Sequence, residues 1–180
     1  MLDSPTPASS TVGNYAVMNP VDKYPNGTNF TISNANLNFS GSGAASWAAN
    51  ASLAVNIGKW YWEMTVSSLG QADALTCGFH LTTAGGWNGD VGSYIYRSDG
   101  VKRGNATSSA YGASYTTNDV IGVALDLDAG TLTFYKNNTS QGTAFSGLTG
   151  NFQASVSADQ STGTSSGSVN FGQRPFTYTP

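Results

Sequence analysis

The fold is decided by Lys59-Trp60-Tyr61-Trp62-Glu63-Met64-Thr65-Val66. Successive side chains of a strand point to opposite faces, so Trp60, Trp62, Met64 and Val66 share one face and Tyr61, Glu63 and Thr65 the other. The tryptophan face is expected to be core. At about 25 cal/mol per Å² its two indoles and methionine contribute several kcal/mol, and Trp60→Ala is expected to cost about 3–5 kcal/mol through the cavity it leaves. Glu63 reads as an exposed strand charge, with Lys59 or Arg97 as its partner. Val123 and Leu125 in 120–126, and Leu132 and Phe134 in 131–136, repeat the alternation and are joined by a hairpin.

Outward from this stretch, short apolar or alternating runs follow one another at 15–18, 29–33, 37–39, 53–57, 59–66, 76–82, 92–97, 120–126, 131–136, 152–158 and 168–171. No amphipathic helix separates them, which points to antiparallel sheets rather than βαβ units. Asn26-Gly27, Asn88-Gly89, Asp99-Gly100, Asp128-Ala129-Gly130 and Asn137-Asn138 supply residues that accept positive φ in tight hairpins. The tract 161–168 (STGTSSGS) reads as a mobile surface loop. Residues 1–14, with Pro5, Pro7 and a Ser/Thr cluster, read as a flexible arm, and residues 15–180 as a single all-β domain.

Composition narrows the function. Of 180 residues only 9% are charged, against about 25% in ordinary soluble proteins, so solubility rests on Ser, Thr, Asn, Gln and Gly. A net charge of −3 provides no cationic footprint for nucleic acid. No apolar run reaches the ~18 residues of a membrane helix, which speaks against membrane insertion. The first ten residues lack the pattern of a Sec signal peptide, and the single cysteine, Cys77, has no partner for a disulfide within the chain. Low charge with no export signal suggests a virion or extracellular protein released by lysis.

Five ordered segments carry a family resemblance: Gly58-Lys59-Trp60-Tyr61-Trp62-Glu63, Cys77-Gly78-Phe79, 92–100 (GSYIYRSDG), 119–128 (DVIGVALDLD) and 130–137 (GTLTFYKN). Together they resemble the SPRY domain over roughly 51–171. The closing 170–176 (NFGQRPF) and the leading 15–20 (YAVMNP) are similar to SPRY domains of bacteriophage virion proteins. The resemblance implies a β-sandwich of two bent antiparallel sheets, loops at one end that bind a protein or ligand, no catalysis and no cofactor. The pattern of the PRY segment that precedes animal SPRY domains is missing, so the partner choice of animal relatives is not carried over.

Catalytic and metal chemistry find little support. His80, the only histidine, lies three residues after Cys77, and odd spacing on a strand sends the two side chains to opposite faces. His80 therefore reads as a structural histidine. Asp126 and Asp128 flank Leu127 beside a turn, but two carboxylates fall short of the six or more oxygens calcium takes, and they read as solvated turn residues. Gly85-Gly86 lacks the context of a phosphate loop. The seven Asn-x-Ser/Thr triplets, at Asn26, Asn29, Asn38, Asn50, Asn105, Asn137 and Asn138, are expected by chance in such a composition.

Binding is better supported. The segment 84–90 (AGGWNGD) holds Trp87 in a loop without apolar neighbours, and a loop indole combines apolar area with a donor. Trp87, Asn88, Asp90, Tyr94, Tyr96, Arg97, Tyr111 and Tyr115 are the expected contact residues, with Trp87→Ala weakening adhesion without shifting the melting temperature. Burial of Trp87 and the tyrosines as a lid on the sandwich edge is the competing expectation. The leading reading is a non-enzymatic adhesion module of a phage tail fibre or similar appendage, meeting a host-surface glycan or protein. The alternatives are a virion assembly or decoration protein touching sister chains, homo-oligomeric or not, and an intracellular SPRY-type peptide-binding module. A carbohydrate-active enzyme would need paired carboxylates about 5–9.5 Å apart, which this sequence does not visibly assemble.

Overall fold

Two seven-stranded antiparallel sheets are built from fourteen strands in the computed structural model, which describes residues 15–24, 29–84 and 90–178. The first sheet runs β1 (Met18–Tyr24), β4 (Ala45–Val55), β13 (Phe152–Gln160), β6 (Leu75–Leu81), β7 (Ser93–Arg97), β8 (Val101–Gly104) and β9 (Thr107–Ala110). The second runs β12 (Thr139–Phe145), β11 (Thr131–Lys136), β10 (Val120–Asp126), β5 (Lys59–Ser68), β14 (Thr164–Asn170), β3 (Asn38–Ser42) and β2 (Phe30–Ser33). Among the described residues no helix is long and apolar enough to cross a membrane.

Alternation fills the space between the sheets. Leu75, Cys77 and Phe79 on β6 and Phe152, Ala154, Val156 and Ala158 on β13 face Trp62, Met64 and Val66 on β5 and Val123 and Leu125 on β10 in one apolar cluster. Trp47 on β4, fully buried and stacked on Phe30 at 4.4 Å, is a core tryptophan to which the sequence drew no attention. Asn137 and Asn138, at φ 46° and 67°, close the β11–β12 hairpin as expected. Asn105 and Ala106 do the same for β8 and β9, a hairpin missed because neither strand is apolar. Asn26-Gly27 and Asn88-Gly89 lie outside the described residues.

Three expectations need correction. Trp60 is on the predicted face but 46% exposed, because it sits at the mouth of the sandwich, where its Nε1–H donates to the Ile57 carbonyl at 2.7 Å. Glu63 is 1% exposed and pairs with neither Lys59 nor Arg97. Its carboxylate accepts the backbone N–H groups of Thr177 and Tyr178, each at 2.8 Å, and the Tyr61 hydroxyl at 3.3 Å. The C-terminal segment thus crosses the outer face of β5 and takes the carboxylate out of water. The tract 161–168, expected as a loop, is mostly β14, hydrogen-bonded between β3 and β5 in the middle of the second sheet. Its small residues suit a crowded place: a Cβ on Gly167 would lie 2.7 Å from Phe39 Cζ.

Candidate functional site

β4 belongs to one sheet and β5 to the other, so the turn 56–58 steps between layers at one end of the sandwich. That turn is tied to the β10–β11 turn: Gly58 N–H donates to Asp128 Oδ1 at 3.0 Å, and Leu127 N–H to the Gly58 carbonyl at 2.9 Å. Here the layers stand apart over a cleft of about 310 Å³. Its walls are Leu53 and Val55 from β4, Trp60 and Trp62 from β5, Phe79 from β6 and Phe171 beyond β14, with Tyr15 at the rim.

The cleft is apolar and reachable. Tyr15, Leu53 and Trp60, which line it, are 42%, 43% and 46% exposed, three of the six large apolar side chains left in water among the described residues. A contiguous exposed apolar patch on a soluble domain marks an interaction surface. Trp62, in its wall, has a buried indole Nε1–H with no acceptor among the described residues. An unmade hydrogen bond of this kind is costly, and an inserted group carrying a carbonyl or hydroxyl oxygen would relieve it.

The residues expected to bind are dispersed. Trp87 and Asn88 lie outside the described residues. Asp90 is exposed, and its carbonyl accepts the Ser93 N–H at 3.0 Å. Tyr94 is half-buried against Phe145 and Phe152. Tyr96 and Tyr115 are taken off the surface: they are 0% and 2% exposed, with rings 5.2 Å apart. Tyr96 donates its hydroxyl to the Ala113 carbonyl, and Tyr115 donates to the carbonyls of Leu75 and Tyr96. Tyr111 packs edge-on against Tyr96 and donates to the Gly142 carbonyl at 2.5 Å, and burial pushes its phenol up to about 12.

Arg97 is half-buried and forks onto Asp99 at 2.9 and 2.5 Å, which holds the Asp99 carboxyl below the usual range. It stands at the far end of the β6–β7 ladder from Ser93, since Arg97 pairs with Thr76 and Ser93 with His80. Arg97 and Asp90 therefore do not share a surface. The tyrosines are internal struts because 111–119 folds back over β7, a contact that no local pattern announces.

The other candidates resolve to structure. His80 is 2% exposed, its Nδ1 lies 3.0 Å from the Leu81 carbonyl, and burial holds the imidazole below its ordinary pKa. Burial likewise pushes the Cys77 thiol up, away from the reactive thiolate. Asp126 Oδ1 accepts the N–H groups of Asp128 and Ala129, and Oδ2 pairs with Lys59 at 2.9 Å. Among the described residues no three His, Cys, Asp or Glu side chains gather to hold a metal ion. The sequence reading passed over the cleft; the signal that could have found it is the apolar pair Leu53 and Val55 just ahead of the 56–58 turn.

Comparison with known proteins agrees with this architecture. The SPRY domain family profile matches residues 59–174. The chain superposes on the SPRY domain of human HERC1 with a TM-score of 0.75 at 18% identity, covering 88% of this chain and 99% of that one. It is 30% identical over 171 residues to zebrafish Ran-binding protein 10, which is 88% of this chain and 28% of the relative. It is 31% identical over 103 residues to the Arabidopsis E3 ubiquitin-protein ligase RKP, 56% of this chain and 8% of that protein. The chain thus spans less than a third of the length of these two curated relatives.

Proposed function

The chain belongs to the SPRY family, and from that premise we propose that it is a non-enzymatic recognition module whose cleft captures an apolar side chain from a short segment of a partner protein. One observation carries the reading: an apolar cleft of about 310 Å³, rimmed by Tyr15, Leu53 and Trp60 that are each nearly half exposed. A side chain seated there would bury area worth about 25 cal/mol per Å² and bring a backbone carbonyl towards Trp62 Nε1. Relatives named Ran-binding proteins support a protein partner. The sequence ranked a phage adhesin first. The relatives come from Arabidopsis, zebrafish and frog, so the peptide-binding alternative now leads, and virion display and an extracellular location rest on the low charge and on the resemblance of 15–20 and 170–176.

The test is selection from a displayed random-peptide library on the intact chain. Enriched peptides should share an aromatic or branched aliphatic anchor. Leu53→Asp should weaken their binding at least about tenfold while leaving the thermal midpoint nearly unchanged, because Leu53 is already half in water. Failure to enrich any peptide, or binders indifferent to Leu53→Asp, would remove the assignment.

A further inference from the structure

The outer face of the second sheet holds a second concavity, of about 340 Å³, separated from the cleft by Trp60 and Tyr61, which line both. Register builds it from two cross-strand rows on β5, β10 and β11: Lys59–Asp126–Thr131 and Tyr61–Ala124–Thr133. The next row is Glu63–Gly122–Tyr135. The middle strand contributes only small side chains in the last two rows, so a trough runs along β10. Tyr61 lies across Gly122, where a Cβ would meet its ring carbon Cε2 at 2.9 Å; only glycine lets the ring settle there. The edge of Phe176 meets the Tyr61 ring at 4.8 Å between centroids and fixes its tilt.

The free chemistry of the trough is neutral. Its two charges are spent on each other, Lys59 on Asp126 at 2.9 Å, and the other Asp126 oxygen is held by two backbone N–H groups. Thr131, Thr133 and Tyr135, half-buried on one face of β11, carry hydroxyls with no hydrogen bond among the described residues. Alternate residues of a strand place these hydroxyls about 7 Å apart. Backbone groups are not on offer: β5, β10 and β11 are inner strands, paired on both sides. An extended peptide brings a donor and an acceptor with every residue and would leave them unmatched here. A sugar ring brings an apolar C–H face for an aromatic wall and a rim of hydroxyls that both donate and accept.

From this juxtaposition of aromatic wall, small floor and a file of unpartnered hydroxyls with no net charge, we propose that the outer face of β5, β10 and β11 is a binding site for a neutral pyranoside. It takes a ring stacked on Tyr61 over Ala124, with its hydroxyls on Thr131, Thr133 and Tyr135. The volume lies at the lower end of small-ligand sites, which suits one or two rings of a longer glycan.

The experiment probes the intact chain with an array of neutral cello-, malto-, manno-, xylo- and chito-oligosaccharides and measures affinity for the best binder by calorimetry. Ala124→Leu, which fills the trough, should lower that affinity at least about tenfold. Thr133→Val, which removes a hydroxyl and keeps its shape, should lower it several-fold, with thermal midpoints of both variants tracked to confirm folding. Leu53→Asp in the neighbouring cleft should leave sugar binding unchanged. The proposal is overturned if no neutral oligosaccharide binds, if binding survives Ala124→Leu, or if Ala124→Leu instead abolishes binding of library-selected peptides, which would make the trough part of the peptide site.

Discussion

Trp60 and Trp62 are two residues apart on one strand face, yet one is 46% exposed and the other 2%. Trp62 has Phe79 and Phe171 against its ring, at 6.4 and 5.5 Å between centroids. Trp62→Ala is therefore expected to cost about 3–5 kcal/mol by opening a core cavity. Trp60→Ala should cost only about 1–2 kcal/mol, because half of its surface already faces water. Urea denaturation of the two variants checks the difference, and equal costs would contradict the position given to Trp60. The cost first assigned to Trp60 thus belongs to Trp62. Glu63 makes the same point with charge: its alternation with Trp62 and Met64 places it outside the core, and the chain's own terminus covers it there.

At the scale of the element, β14 shows how little apolar content a central strand needs when its neighbours supply the order. Five of its seven residues are Ser, Thr or Gly (TSSGSVN), yet it pairs with β3 and β5 along its length. The Ser165 hydroxyl accepts the Gly70 N–H at 3.1 Å, and the Thr164 carbonyl accepts the Ser68 hydroxyl at 3.0 Å. Backbone amides of 166–169 should accordingly resist hydrogen exchange far longer than a surface loop would. Gly167→Val should destabilise by about 3 kcal/mol or more, since the added carbons meet Phe39 and the Thr65 carbonyl. Rapid exchange across 166–169, or a neutral Gly167→Val, would return this tract to the loop that its composition suggested. Hairpins were legible wherever strong strands flanked Asn or Gly, as at 126–131 and 136–139. Strands β8 and β9 and the first half of β14 were not, because their polar residues carry no period; hairpin pairing holds β8 and β9 in place, and pairing with the sequence-distant β3 and β5 holds β14.

For the whole molecule, stability near neutral pH turns on one group. The chain has a single histidine, His80, and burial lowers its pKa below the ordinary 6.5; the Leu81 carbonyl and the charge of Asp22 oppose that only in part. As pH drops below 6.5 the unfolded chain takes up a proton that the folded chain refuses, so stability falls until the depressed folded value is reached. The carboxylates of Asp99 and Asp126 are held below their usual range by Arg97 and by turn N–H groups with Lys59 respectively, so their losses come only in stronger acid. The urea midpoint of the wild type should therefore fall between about pH 7 and pH 5, and His80→Gln should flatten that slope. A wild-type midpoint level across this window would show that the imidazole is not desolvated.

Alternating aromatics and Asn- and Gly-bearing turns determined by themselves that the chain is a sandwich of antiparallel sheets, because periodicity and turn chemistry are local properties of the backbone; the SPRY family entered through the resemblance of five ordered segments. Tertiary structure alone decided how deep each residue on a face lies: Trp60 at the mouth and Trp62 inside, Glu63 under the C-terminal segment, Tyr96 and Tyr115 in the core, and the apolar cleft and neutral trough on either side of Trp60. Which face a side chain takes follows from its neighbours in sequence. How much water it keeps is summed over neighbours a hundred residues away, as when Thr177 and Tyr178 close over Glu63.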